Sequence, residues 1–162
     1  MVTADRSSYR VGQVDFTVLG DDEWPVGEAA HHMVSWWRGF APDLPRWKDY
    51  DFLEHAAFAS DLHLIKVRGP DSFEFRVAGD AVWTNLGRHD KGMVIDPRSS
   101  NPHYAALARQ FVRLFALRKA GRLTGILNDF QKPHLRFESV DLPVLDENGE
   151  PAYLVGALSG QP

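Results

Sequence analysis

The chain has 162 residues, 44% of them hydrophobic and 25% charged, with a formal net charge of −4. That is the balance of one globular domain with a core of its own, and the negative charge argues against general binding to nucleic acid. Cysteine is absent, which excludes a disulfide framework, a thiolate nucleophile and every cysteine-ligated metal centre.

The start, MVTADRSSYRVGQ, lacks the apolar stretch of a signal peptide. No run approaches the roughly 18 apolar residues of a membrane span, so a cytoplasmic protein with no membrane partner is expected. Residues 1–20 read as an N-terminal arm, with DFTVL at 15–19 a short strand or a lead-in, and residues 21–162 as a single domain. Asp21 and Asp22 offer N-caps, and Val26, Ala29, Ala30, Met33, Val34, Trp37 and Phe40 recur at helical spacing. They predict an amphipathic flanking helix over 24–40, ended by Pro42.

After the Pro42–Pro45 linker, Asp49 or Asp51 caps a short helix through Ala57. LHLIKV at 62–67 is the first core strand, and Gly69-Pro70-Asp71 is turn chemistry before the next one. That next stretch, Phe73–Asp96, organises the chain. Phe73, Phe75 and Val77 alternate with Glu74, Arg76 and Ala78 as a strand, which breaks at Gly79 into one or two short helices closed by Gly87 and Gly92. Ser100 or Asn101 caps the longest helix, Pro102 sits in its first turn, and Gly121 stops it. Three strands follow, over 122–128, 134–142 and 152–158, with a glycine turn at Asp146–Gly149. The plan is α+β: a five-stranded antiparallel sheet with helices on one face and the N-terminal helix flanking it.

Particular residues carry a resemblance. Trp36-Trp37-Arg38 stands on the first helix, and a proline-led segment runs from Pro45 to Leu53. Phe73-Glu74-Phe75-Arg76-Val77-Ala78-Gly79 leads to Leu86-Gly87-Arg88 and Lys91-Gly92, and Leu142-Pro143-Val144 precedes the Gly149 turn. In this order, over roughly 25–158, the chain resembles a PAS domain and, within that superfamily, the family of short stand-alone bacterial PAS proteins. It departs from that pattern at Asp51-Phe52, where proline commonly follows the aspartate, and at Asp80, where a small hydroxyl residue is more usual. The resemblance implies a sensory or signalling module without an effector domain in its own chain, binding a small molecule or a protein partner.

The ligand pocket is expected between helices and sheet, lined by Phe75, Trp83, Phe111 and Phe115, with Arg76, Asn85, Asn128 and Arg136 as its polar groups. An inward Arg76 or Arg136 would favour an anionic ligand. The cofactor is undetermined. Haem is not expected, because no companion contact motif accompanies His89 or His103, and a photoreceptor-type flavin pocket needs the cysteine that this chain lacks.

No metal site is expected, since His31 and His32 point about 100° apart on a helix; both are expected to face solvent, as is His103. Trp24, Met33, Trp36 and Trp37 form a candidate partner interface, and PAS modules often pair through such a helix, so a homodimer is expected by resemblance. A separate signalling partner fits the same plan. No nucleophile elbow, zinc-protease motif or phosphate loop is present, and an enzyme is not the leading expectation. The alternative is a small α+β enzyme using a His/Asp pair in the helix–sheet cleft, with His89-Asp90 or Asp129 and His134 as candidates. The basic run from Arg98 to Arg122 reads as a solvated face balanced by acids elsewhere.

Overall fold

The structure, a computed structural model, describes residues 8–82, 91–126 and 136–161. Strands β1 (Ser8–Val11), β2 (Val14–Val18), β3 (Leu62–Val67), β4 (Phe73–Ala78), β5 (Val94–Ile95), β6 (Gly121–Ile126), β7 (Arg136–Leu145) and β8 (Pro151–Gln161) form one sheet. The described helices include α1 (Glu28–Arg38) and α2 (Pro102–Leu117), with 3-10 helices at Trp47–Asp49 and Phe52–Asp61. The sheet runs β1-β2-β6-β7-β8-β3-β4-β5, with every named pair antiparallel. Its middle, β6-β7-β8-β3-β4, holds the five strands expected from the sequence. The sheet has eight rather than five because a two-residue strand adds to the β4 edge and a hairpin to the β6 edge.

That hairpin is built from the residues read as an arm. Tyr9 stacks on Phe16, with ring centroids 4.9 Å apart, and its hydroxyl donates to the Ala106 carbonyl on α2 at 2.9 Å. Burial pushes the Tyr9 phenol up to about 12.

The helices cover both faces of the sheet, not one. Odd positions of β7 (Phe137, Ser139, Asp141) and even positions of β8 (Leu154, Leu158) share the face under α2, with Phe16, Ile65, Phe73 and Leu123. The opposite parity (Val140, Leu142, Val144, Val155, Ala157) lies under α1, whose Ala29, Ala30, Met33 and Val34 are buried on it. This is why β7 is buried from Phe137 to Leu145 instead of alternating. Burying a side chain the size of Met33 contributes about 1.5–3 kcal/mol, so the apolar stripe of α1 is held by its own domain.

The candidate partner interface is corrected accordingly. Met33 is fully buried, Trp37 donates its indole N–H to the Pro143 carbonyl at 2.9 Å, and Trp36 packs edge-on against Phe40, Tyr50 and His55. Trp24 is 45% exposed, stacked on His31 with Arg38 over its ring.

Several ends of elements also differ from expectation. Neither Asp21 nor Asp22 caps α1; Gly27 is its N-cap position, and the carboxylate of Glu138 on β7 takes the N–H groups of Val26 and Gly27 at 2.9 and 2.6 Å. Asn101 does cap α2 by accepting from the His103 N–H, but α2 closes on Arg118 in the left-handed region (φ 56°), and Gly121 already belongs to β6. Asp51 caps the 3-10 helix at Phe52–Asp61, and Gly149 (φ 81°) turns β7 into β8 in a conformation that favours glycine. The basic run is balanced as expected: Arg118 pairs with Asp43 at 2.9 Å, Lys119 with Asp21 at 2.6 Å, and Arg122 with Glu138 at 2.7 Å. No helix among the described residues is long and apolar enough to cross a membrane.

His32 does not face solvent freely. Its Nε2 lies 2.9 Å from Nδ1 of His55, inside a cluster with Trp36, Tyr50 and Phe58. Burial, and then the neighbouring His32, lower the His55 pKa below its ordinary 6.5, against smaller opposing effects of Glu54 and Asp51. A lowered folded-state value means that the unfolded chain binds the proton more readily. Stability is therefore complete above about pH 6.5 and falls as the pH drops from there towards the lowered value. The melting temperature is expected to decline between pH 7.5 and 5.5, with a flatter slope in His55→Phe; identical slopes would remove His55 as the source. The Asp61 carboxyl, raised by burial, contributes with the opposite sign.

Candidate ligand cavity

His63 on β3, Gly156 on β8 and Asp141 on β7 are in register across three adjacent strands. His63 reaches over Gly156, and its Nε2 lies 2.8 Å from Oδ1 of Asp141. The two side chains are 9% and 3% exposed. A carboxylate so buried must be paired, and the imidazole N–H is the partner the fold supplies. Gly156 is held to glycine chiefly by the Val140 backbone carbonyl oxygen beside it and also by the His63 ring. A Cβ there would lie 2.5 Å from Nε2 of His63 and would also meet the Val140 carbonyl oxygen. Gly156→Ala is expected to cost about 1–3 kcal/mol, as overpacking does, read as a lower urea midpoint at unchanged slope; an unchanged midpoint would contradict this arrangement.

The pair forms part of the wall of a cavity of about 100 Å³ between the sheet and α2. Phe75, Leu107, Phe111, Leu123, Phe137 and Leu158 supply apolar wall, while His63, Asp141, Ser139, His103 and Tyr104 supply polar groups. A mostly apolar concavity with a few convergent polar groups is what a small-molecule site requires.

The residues singled out from the sequence are distributed unevenly around it. Phe75 and Phe111 line the cavity. Phe115 packs in the adjoining cluster under α2 without lining it. Arg76 has the opposite strand parity, is about half exposed and binds Glu74 at 2.8 Å, and Arg136 is exposed at the start of β7. Trp83, Asn85 and Asn128 lie outside the described residues, as do His89, Asp90, Asp129 and His134. Neither arginine turns inward, so the ground for an anionic ligand is gone.

His103, expected at the surface, lines the cavity instead. His63, Asp141 and Ser139 were missed. Their signal was strand parity: His63 shares the face of Ile65, and Asp141 and Ser139 that of Phe137.

No family model matches the chain, and no curated protein matches it. Among solved structures, that of an RNA-binding light-oxygen-voltage receptor matches with a TM-score of 0.50 at 16% identity, over 91% of this chain and 38% of that one. Light-oxygen-voltage domains are PAS-family domains. The likeness is one of fold: this chain has a PAS-like fold, extended here at both edges of the sheet.

Proposed function

We propose that this chain is a PAS-like sensory module that takes a small molecule in the cavity between α2 and the sheet. The observation that carries this reading is a buried polar pair, His63–Asp141, set into the wall of a mostly apolar cavity. A core needs no such pair, since replacing both partners of a buried hydrogen bond by apolar groups of the same shape is often neutral or stabilising. Occupancy would bias the packing of α2 on the sheet and so the surface offered to a separate signalling partner. The RNA binding of the similar receptor is not carried over, because this chain has a net charge of −4.

Native mass spectrometry of purified protein, beside a melting-temperature screen of small molecules, tests the proposal. A retained molecule, or a shift from an apolar compound with one polar group, is expected. Protein with no adduct and no shift from any compound of cavity size would overturn it. The rival is a small α+β enzyme using a His/Asp pair in this cleft, and His63–Asp141 is the observation in its favour. It requires chemical turnover of the bound molecule, visible as a changed mass after incubation.

A further inference from the structure

The identity of the molecule is narrowed by three properties of the cavity, given that it is a ligand site. The first is size. A dry apolar cavity of about 150 Å³ holds a benzene ring, and this one measures about 100 Å³. At two-thirds of that volume the cavity limits a ligand to one ring, and its walls must move outward slightly to admit it.

The second property is charge. Among the described residues no lysine or arginine lines the cavity, whereas the Asp141 carboxylate does. An anionic ligand would meet a like charge in a medium of low dielectric with no cation to offset it. The third is the direction of hydrogen bonding. A carboxylate only accepts, so the contact between Nε2 of His63 and Oδ1 of Asp141 places the imidazole proton on Nε2. The remaining nitrogen, Nδ1, is then an acceptor. Gly156 leaves the space in which the ring is held in this orientation.

We infer that the cavity is selective for an uncharged, single-ring molecule bearing one hydroxyl, the phenol class, whose O–H donates to His63. The inference rests on the cavity being the ligand site. Aromatic walls (Phe75, Phe111, Phe137) accept the ring edge-on or offset. The dyad orients the hydroxyl, and a ring without one leaves the imidazole acceptor unpaired in an apolar site. A site built to pair a hydroxyl rejects the analogue that lacks it much more strongly than it rejects a change of one methyl group.

The test is isothermal titration calorimetry of the full chain with p-cresol, toluene and benzoate. p-Cresol is expected to bind at least tenfold more tightly than toluene, and benzoate not measurably. In the double variant His63→Leu/Asp141→Leu, which leaves no carboxylate unpaired, toluene should still bind and the preference for p-cresol should vanish. If the double variant fails to fold, the wild-type ranking decides by itself. Equal affinity for p-cresol and toluene, or tighter binding of benzoate, would overturn the inference while leaving the cavity a ligand site. Binding of none of the three, together with no hit in the screen, would overturn the ligand-site reading itself.

Discussion

Glu138→Ala is expected to destabilise the chain by about 3 kcal/mol, the combined cost of losing a helix-entry cap and a charge-assisted hydrogen bond to Arg122. The Glu138 side chain is fully buried on the α1 face of β7. Its carboxylate holds three donors at once: the N–H groups of Val26 and Gly27 at the entry to α1, and Nε of Arg122 on β6 at 2.7 Å. The Gly27 N–H is the first that the helix start leaves without an intrahelical partner and the Val26 N–H stands just before it, and a negative charge there also meets the positive end of the helix dipole. One side chain therefore caps the helix, neutralises Arg122 and ties α1 to the sheet.

Removing it takes away the acceptor that all three donors share. For a domain of this size the loss corresponds to a fall in melting temperature of roughly 10 °C. Glu138→Gln, which keeps an acceptor without the charge, should fall between the two. Combining Glu138→Leu with Arg122→Met should recover part of the loss, because the buried charge then disappears from both sides. An unfolding free energy for Glu138→Ala within about 1 kcal/mol of wild type would contradict this role.

Phe111→Ala carries the second large effect, and it connects stability to function. Phe111 is fully buried on the inner face of α2, edge-to-face with Phe73 at 5.1 Å between ring centroids, and it lines the cavity. Truncating it is expected to cost about 3–5 kcal/mol through lost burial and the void left behind. Because that void opens into an existing cavity, the variant should gain room for a second ring. A bicyclic compound such as 2-naphthol should stabilise the variant in proportion to its concentration over its dissociation constant and stabilise wild type much less. The measurement is the ligand-dependent melting temperature of both proteins. Equal shifts would mean that Phe111 does not bound the ligand space.

Much of this fold was legible in sequence because local rules act on local stretches. β3 was read at 62–67 and β4 began at Phe73 because apolar residues alternate there between turn residues. Asn101-Pro102 announced α2 by cap chemistry, and Gly149 announced the β7–β8 turn. The parts that were missed depend on which element covers which. Glu138 alternates with Phe137 and Ser139 as a solvent-facing residue should, but α1 lies over that face and turns it into a buried anchor. The hairpin from Ser8 to Val18 is short and rich in polar residues, and its reason for existing is the β6 edge more than one hundred residues away.

The cavity was legible only by half. Its aromatic walls Phe75 and Phe111 follow from periodicity. The His63–Asp141 pair needed the strand order, which places β8 and its Gly156 between β3 and β7. Arg76 alternates with Phe75 and so belongs to the opposite face, where Glu74 holds it.

The central claim is an accessible apolar cavity between α2 and the sheet, and diffraction from crystals under xenon pressure tests it most directly, since xenon enters such cavities without needing any particular polar group. Xenon density is expected between Phe111 and Leu158, within reach of the His63 ring. Crystals that take up xenon elsewhere, or not at all, with the α2–sheet space filled by side chains, would contradict it.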